Sequence, residues 1–302
     1  MSTPARSTAL KPPRFAYHAP DNVDAAIALL ARYGGEARLL AGGQSLVPML
    51  NFRLLAPAAL IDLGRIPALA YVRAEGDTVA IGAMTRQRHA EHAELVQRRL
   101  PLLHEALGWV GHLPTRSRGT VGGSLAHADP SAELPMTLLA LDGSVLVAGP
   151  RGRRSIAATE LFDSMFTTHL AADEILIEVR MPAMAPGSGY AIEEFARRKG
   201  DFAIVGVAVA LQFEGRRCTR ARIAACGIGS APLRLTAAEQ IIERDGTGSA
   251  AIDAAAAAAA AAVDPISDPN ASADYRRHLT AVLLGRALRR ASVPATAPAI
   301  FH

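Results

Sequence analysis

The segment Pro182-Ala183-Met184-Ala185-Pro186-Gly187-Ser188-Gly189 places two prolines and two glycines within eight residues, and the patterning of the chain changes across it. Residues that interrupt helices and strands alike favour a connecting stretch. Before it, strand-like and helix-like patterns alternate. After it, residues 190–197, 203–213 and 218–227 read as three antiparallel strands, and only helical patterns follow. Strands first and helices afterwards is the order of a separate α+β unit. A length of 302 residues also exceeds what one hydrophobic core usually serves, so two or three compact units are expected.

Within the first part, Val23, Ala26, Ile27 and Leu30 recur at helical spacing, with Asp21 expected as N-cap and Gly34-Gly35 as the stop. Residues 38–41 and 59–63 read as short buried strands, which makes 14–66 a small β-α-β unit. A second unit, 67–182, opens with a hairpin around Glu75-Gly76-Asp77 and a polar helix begun by Thr85. It continues through a helix over 102–109, a glycine-rich crossing at 119–130, a helix from Glu133, a hairpin turning at 149–152 and a closing strand over 174–181. In the third unit, 188–292, Thr236 and Glu239 have capping-box spacing. The alanine run predicts a helix ending before Pro265, and 274–290 a helix whose terminal arginines suit its dipole. Tails are expected at 1–13 and 293–302.

Composition removes several classes of function. Half of the residues are hydrophobic and a fifth are charged, which is the balance of a chain that buries a large core. The only lysines are Lys11 and Lys199, the arginines are scattered, and eight Phe and one Trp leave little to stack on bases, so no nucleic-acid partner is expected. Cys218 and Cys226 are too few for a disulfide framework or a four-cysteine cluster, and they suit a reducing, cytoplasmic setting. Residues 1–11 lack an apolar signal region and the 254–262 alanine run is too short to span a bilayer, so no transmembrane segment is expected.

Two glycine motifs carry the chemistry. In Leu39-Leu40-Ala41-Gly42-Gly43-Gln44-Ser45-Leu46 a strand runs into two glycines and then a hydroxyl, so successive backbone N–H groups can converge on an anion. Some eighty residues later, Thr120-Val121-Gly122-Gly123-Ser124 repeats the pattern, followed by His127 and Asp129; two such loops could grip one diphosphate from both sides. Taken singly, each also reads as an ordinary turn, Asp129 as a turn residue and His127 as an interior histidine. Neither G-x-G-x-x-G nor G-x-x-x-x-G-K occurs, which disfavours a Rossmann fold and a P-loop. G-x-S-x-G and H-E-x-x-H are absent too, and His89 with His92 lies on a polar helical stretch, so no catalytic acid, base or nucleophile and no metal ligand is assigned.

With both motifs and a third marker, Arg197-Arg198-Lys199-Gly200-Asp201-Phe202 running into Ala203-Ile204-Val205-Gly206, nearly the whole chain resembles the FAD-binding medium subunits of the xanthine dehydrogenase and carbon monoxide dehydrogenase family. The resemblance implies an α+β fold: a two-part FAD-binding domain of the vanillyl-alcohol-oxidase (PCMH) type, 14–66 and 67–182, followed by a small C-terminal domain. It implies that Leu40, Ala41, Gly42, Gly43, Gln44, Ser45 and Leu46, with Thr120, Val121, Gly122, Gly123 and Ser124, hold the diphosphate and ribityl of a non-covalent FAD. It also implies that Asp129 is a cofactor-binding residue, that Glu133 bonds the flavin hydroxyls, that Leu176 packs on the cofactor and that Phe202 sits beside the ring, although Phe202 reads equally as core.

The family implies partners as well: a small iron–sulfur subunit, a large molybdenum-cofactor subunit, a dimer of heterotrimers and an external electron acceptor. The sequence departs from its relatives at Glu193-Glu194, where several of them carry lysine, and at Ser124, where many carry asparagine. The competing readings are a self-contained flavin oxidoreductase and a non-enzymatic nucleotide-binding scaffold.

Overall fold

The computed structural model describes residues 11–293. The expected tails, 1–13 and 293–302, lie almost wholly outside the described residues. Three larger sheets organise the rest.

The first sheet is parallel, with strands Ala16–His18, Ala59–Asp62 and Ala37–Leu40 side by side in that order. Parallel neighbours need a crossover. Helix Val23–Tyr33 supplies one, burying Ala26 and Leu30 against Ala37, Ala59 and Ile61. Its cap is Asn22, not the expected Asp21. The Asn22 side chain accepts from the Ala25 N–H at 2.8 Å, while Asp21 only receives the Asn22 amide. Gly34 closes the helix with φ of 56°, a left-handed conformation that suits glycine.

The second sheet is antiparallel and five-stranded, ordered Val72–Glu75, Thr78–Gly82, Ile175–Pro182, Ser144–Gly149, Gly152–Ala157. Two local hairpins thus flank one central strand that arrives from far along the chain. Helices Pro101–Trp109 and Glu133–Ala140 share a core with this sheet, in which Leu102, Leu103, Leu125, Leu134, Met136 and Leu138 are fully buried. Thr85 does not open the polar helix as expected. Its hydroxyl donates to the Tyr71 carbonyl and accepts the Tyr71 N–H, and the helix runs Gln87–His92.

The stretch expected as a glycine-rich crossing holds a helix, Val121–His127. Two glycines near its start weaken helical propensity. Tertiary contacts supply what propensity lacks: the Thr120 hydroxyl caps the Gly123 N–H at 3.1 Å, and Val121 and Leu125 are fully buried.

The third sheet, Gly189–Phe195, Val205–Glu214, Arg217–Cys226 and Leu233–Arg234, is antiparallel throughout. Alternation gives it two buried faces. Val205, Val207, Val209 and Ala225 share a core with helices Thr236–Asp245, Ser249–Ala262 and Ala273–Ala291. Ile192, Ala208, Ala224 and Cys226 join the core of the second sheet instead. The C-terminal α+β unit is therefore packed against the unit of the second sheet along a whole sheet face. Glu239 is not a capping-box residue: its carboxylate accepts the Ile223 N–H at 2.7 Å and pairs with Arg234, and Leu235 precedes the helix without a side-chain cap. Among the described residues no helix is long and apolar enough to cross a membrane.

Candidate functional site

The first glycine loop leaves the carboxyl end of strand Ala37–Leu40, the edge at which open parallel sheets offer crevices to ligands. Gly43 adopts φ of 73° and redirects the chain into the short helix Leu46–Asn51. Through this bend the backbone N–H groups of Gly42, Gly43, Gln44, Ser45 and Leu46 have no hydrogen-bond acceptor among the described residues. Gln44 is exposed and its side-chain amide donates to the Gly42 carbonyl at 3.1 Å, bracing the turn. Ser45 makes no side-chain capping bond, and its hydroxyl is free for another partner. Leu40 lies against Gly43, where its Cδ1 would be 3.4 Å from an added Cβ.

The second loop meets the first directly. A Cβ on Gly42 would strike the Arg118 carbonyl and come within 2.8 Å of the Gly119 Cα, and one on Gly123 would lie 3.3 Å from the Ala41 Cβ. Glycine at 42 is what allows two backbones to touch here. Yet the N–H groups of this second loop from Val121 to Ser124 are already spent, leaving only that of Thr120 without an acceptor among the described residues. Val121 donates to Thr85 at 3.0 Å, Gly122 to Ala83 at 2.9 Å, Gly123 to the Thr120 hydroxyl at 3.1 Å and Ser124 to the Thr120 carbonyl at 3.2 Å. The two loops are alike in sequence, but the structure separates them into one with a run of unclaimed donors and one whose backbone is internally satisfied from Val121 onward. From the second loop, side-chain hydroxyls and helix packing remain.

The other expected residues are more dispersed. Asp129 is half-buried and accepts the Ser131 N–H at 2.9 Å, so its turn role is realised; burial raises its carboxyl above the usual range. His127 stacks on Phe166 with ring centroids 5.0 Å apart, and burial lowers its pKa. Leu176 is buried in the central core at the edge of an irregularity in the strand Ile175–Pro182. Phe202 is 65% exposed, which rules out the core reading for that ring.

Glu133 begins helix Glu133–Ala140 and is only 5% exposed; burial pushes its carboxyl up to about 7. It faces Glu194, a relation that the sequence did not reveal. Glu194 stands opposite Gly206, which stands opposite Cys226, and a Cβ on Gly206 would lie 2.8 Å from the Cys226 sulfur and 3.6 Å from the Met136 methyl. The bare glycine thus permits a close contact between the C-terminal sheet and the helix that carries Glu133. Glu194 Oε2 is buried without a hydrogen-bond partner among the described residues, and burial, then the Glu133 charge, pushes its carboxyl up to about 8. Glu194 also lines a cavity of about 410 Å³ together with Glu105, Trp109, Phe195, Arg198 and Lys199.

Arg86, directly after Thr85, is a further residue at the junction of the two loops that carries no sequence signal of its own. It forms a β-bridge with Thr120, and its guanidinium donates to the Arg118 carbonyl at the contact between the two loops. No local pattern distinguishes it from the other arginines; its position is a tertiary fact. Among the described residues no group of three or more His, Cys, Asp and Glu side chains is arranged to hold a metal ion.

The donor set suits a diphosphate-bearing dinucleotide: a run of unclaimed N–H groups, a free hydroxyl and a nearby guanidinium, on a loop that glycine holds against a second backbone. Comparison with known proteins agrees with that chemistry. Residues 13–184 match the family model described as the FAD binding domain in molybdopterin dehydrogenase, and residues 190–291 match the carbon monoxide dehydrogenase flavoprotein C-terminal domain. The chain is 44% identical to the 6-hydroxypseudooxynicotine dehydrogenase complex subunit alpha of Paenarthrobacter nicotinovorans, covering 93% of this chain and 96% of that protein. It is 40% identical to the carbon monoxide dehydrogenase medium chain of Hydrogenophaga pseudoflava, covering 93% and 98%. The solved structure of carbon monoxide dehydrogenase from Hydrogenophaga pseudoflava, in a form lacking the Mo-pyranopterin moiety of its cofactor, superposes with a TM-score of 0.92 over 94% of this chain and 99% of that one, at 41% identity. With both of its parts matched, the chain belongs to the family of FAD-binding medium subunits of molybdenum hydroxylases, as an FAD-binding domain followed by the flavoprotein C-terminal domain.

Proposed function

We propose that this chain is the electron exit of a heteromeric molybdenum hydroxylase. In this reading a non-covalent FAD receives electrons from the iron–sulfur clusters of a small subunit and passes them to an external acceptor. The organic substrate is oxidised at a molybdenum cofactor in a large subunit, in a cytoplasmic dimer of heterotrimers. The observation that carries the reading is the run of unclaimed N–H groups from Gly42 to Leu46, held open by the contact of Gly42 with the second loop. Flavin supplies the chemistry of taking electrons singly and releasing them as a pair. The chain's own residues have only to bind it, orient it and control the protons and charge around it.

Residues 14–66 bring the donors of the first loop, 67–182 bring Thr120, Ser124 and Glu133, and 188–292 bring Glu194 and Phe202. Leu40, Ala41 and Leu46 shape the loop that presents the donors; Val121, Gly122 and Gly123 seat the second loop against it; Asp129 and Leu176 support that seat from the turn and the core. Glu194 lies in the stretch Glu193-Glu194-Phe195, where several relatives carry a lysine. Because burial raises its pKa to about 8, the carboxyl is mostly protonated at neutral pH. The change therefore removes a positive charge without installing a full negative one, and it leaves an acid facing Glu133.

The test is to purify the chain with its native neighbours, record the absorption spectrum, release the chromophore with acid and identify the accompanying chains by mass. FAD together with iron–sulfur and molybdenum subunits is the expected result. A colourless, solitary chain that FAD cannot reconstitute would sink the reading.

A further inference from the structure

Arginine carries almost all of the positive charge of this chain, and folding sorts those arginines strictly. Among the described residues, each arginine that is not exposed has a carboxylate within 4 Å, with a single exception. Arg116 pairs with Glu91, Arg180 with Glu178, Arg222 and Arg234 with Asp142, Arg276 with Asp268, and Arg99 and Arg277 have aspartates of their own. Arg86 alone is half-buried without one. Withdrawing a guanidinium from water without a counter-charge costs free energy, and a chain that pairs all its other sheltered arginines has left this cation for something else.

Its position says what. Residues paired across a β-bridge project to the same side, so Arg86 points the way Thr120 does. Thr120 caps Gly123, and Gly123 abuts Ala41 of the first loop. The Arg86 Nη1 donates to the Arg118 carbonyl, the same oxygen against which Gly42 is packed. The guanidinium is thereby moored at the junction of the two loops, beside the start of the unclaimed N–H run. Around it the field is positive. Burial, and then the Arg118 charge, lower the Arg86 pKa, and Asp62, at the carboxyl end of its strand, opposes them from beyond ion-pair distance. Arg88, His89, His92 and Ser117 complete, with Arg86 and Ala93, a cavity of about 480 Å³ that no carboxylate lines.

We propose that Arg86 is the counter-charge for the diphosphate of the bound dinucleotide, the one sheltered arginine without a carboxylate among the described residues, at a loop whose own donors are neutral N–H and hydroxyl groups. The proposal rests on the reading that the first loop holds FAD and names the residue that neutralises its charge. A planar guanidinium fixed by a backbone carbonyl on one edge presents its remaining N–H groups to phosphoryl oxygens at little entropic cost. Arg88, at the rim of the cavity, is exposed and steers the anion only from a distance.

The experiment follows flavin release from the full-length chain on dilution, by flavin fluorescence, for the wild type and for R86Q, R86K, R88Q and G42A. R86Q is expected to weaken FAD binding about tenfold to a hundredfold, the scale of a lost charge-assisted hydrogen bond, while R86K recovers part and R88Q changes it less than threefold. Wild-type binding is expected to weaken as salt rises, and that dependence to flatten in R86Q. Retained FAD affinity in R86Q, with affinity lost in G42A, would overturn the role of Arg86 and leave the first loop as the site. Retained affinity in both variants would overturn the role of Arg86 and the loop reading together. Should R86Q fail to fold, R86K and the salt dependence of the wild type decide the matter, and a salt-independent affinity unaffected by R86K counts against the proposal.

Discussion

The two glycine loops are nearly the same in sequence and opposite in what they do with their backbones. Ala41-Gly42-Gly43-Gln44-Ser45 leaves a parallel strand and bends before its short helix begins, so five consecutive N–H groups, Gly42 to Leu46, find no acceptor among the described residues. Thr120-Val121-Gly122-Gly123-Ser124 enters its helix at once, and every N–H from Val121 to Ser124 is bonded within the chain. A pair of glycines therefore has two distinct uses. In the first loop glycine allows backbone to approach backbone and frees donors; in the second it lets a helix start be sunk into the core, with Gly122 against Ala83. In the proposed function the first loop is the binding element and the second is its buttress.

The contrast can be broken most forcefully at the contact itself. G42A would drive a Cβ into the Arg118 carbonyl and part the loops; purified G42A is expected to contain less than a tenth of the wild-type FAD, while its far-UV circular dichroism stays near that of the wild type. G122A attacks the buttress instead. Its Cβ would come within 2.8 Å of the Ala83 Cα, an overpacking that costs about 1–3 kcal/mol, so denaturant unfolding should register the change even in the flavin-free chain. Equal effects of G42A and G122A on flavin-free stability would erase the distinction drawn here.

The Glu133–Glu194 pair offers a pH handle on the neighbouring face. Burial raises both carboxyls, to about 7 and about 8, so between the ordinary carboxylate range and pH 8 the folded chain holds protons that the unfolded chain has released. Stability must then fall as pH rises through that window. Discounted for the partial exposure of Glu194, the loss from pH 6 to pH 9 is on the order of 2 kcal/mol, and E194Q should flatten the profile of melting temperature against pH. A smaller effect is expected at the helix start: T120A removes the cap on Gly123 and should cost about 1 kcal/mol in chemical denaturation, with T120S restoring it.

Much of the architecture was legible from local pattern. The helix Val23–Tyr33 and its Gly34 stop, the hairpin at Gly149 and Gly152, and the three long C-terminal strands follow from periodicity and turn chemistry that act over a few residues. The helix Val121–His127 was not legible, because glycine propensity points the other way and the stabilising partners, Ala83 and Thr85, lie more than thirty residues upstream. Glu239 carried a capping signature yet was drawn into the sheet by Arg234 and the Ile223 N–H. Candidate loop residues could be named from sequence, but not which N–H groups would remain unclaimed. The solitary state of Arg86 and the meeting of Glu133 with Glu194 are likewise properties of what is missing or facing in space, and no spacing rule encodes them.

Amide hydrogen exchange on the full-length chain, read by mass spectrometry with and without FAD, tests the central claim most directly. The account predicts that peptides covering Gly42 to Leu46 exchange fast in the flavin-free chain and become protected when FAD is added, while those covering Val121 to Ser124 are protected in both states. Unchanged exchange over Gly42 to Leu46, or protection that appears only with FAD over Val121 to Ser124, would contradict it.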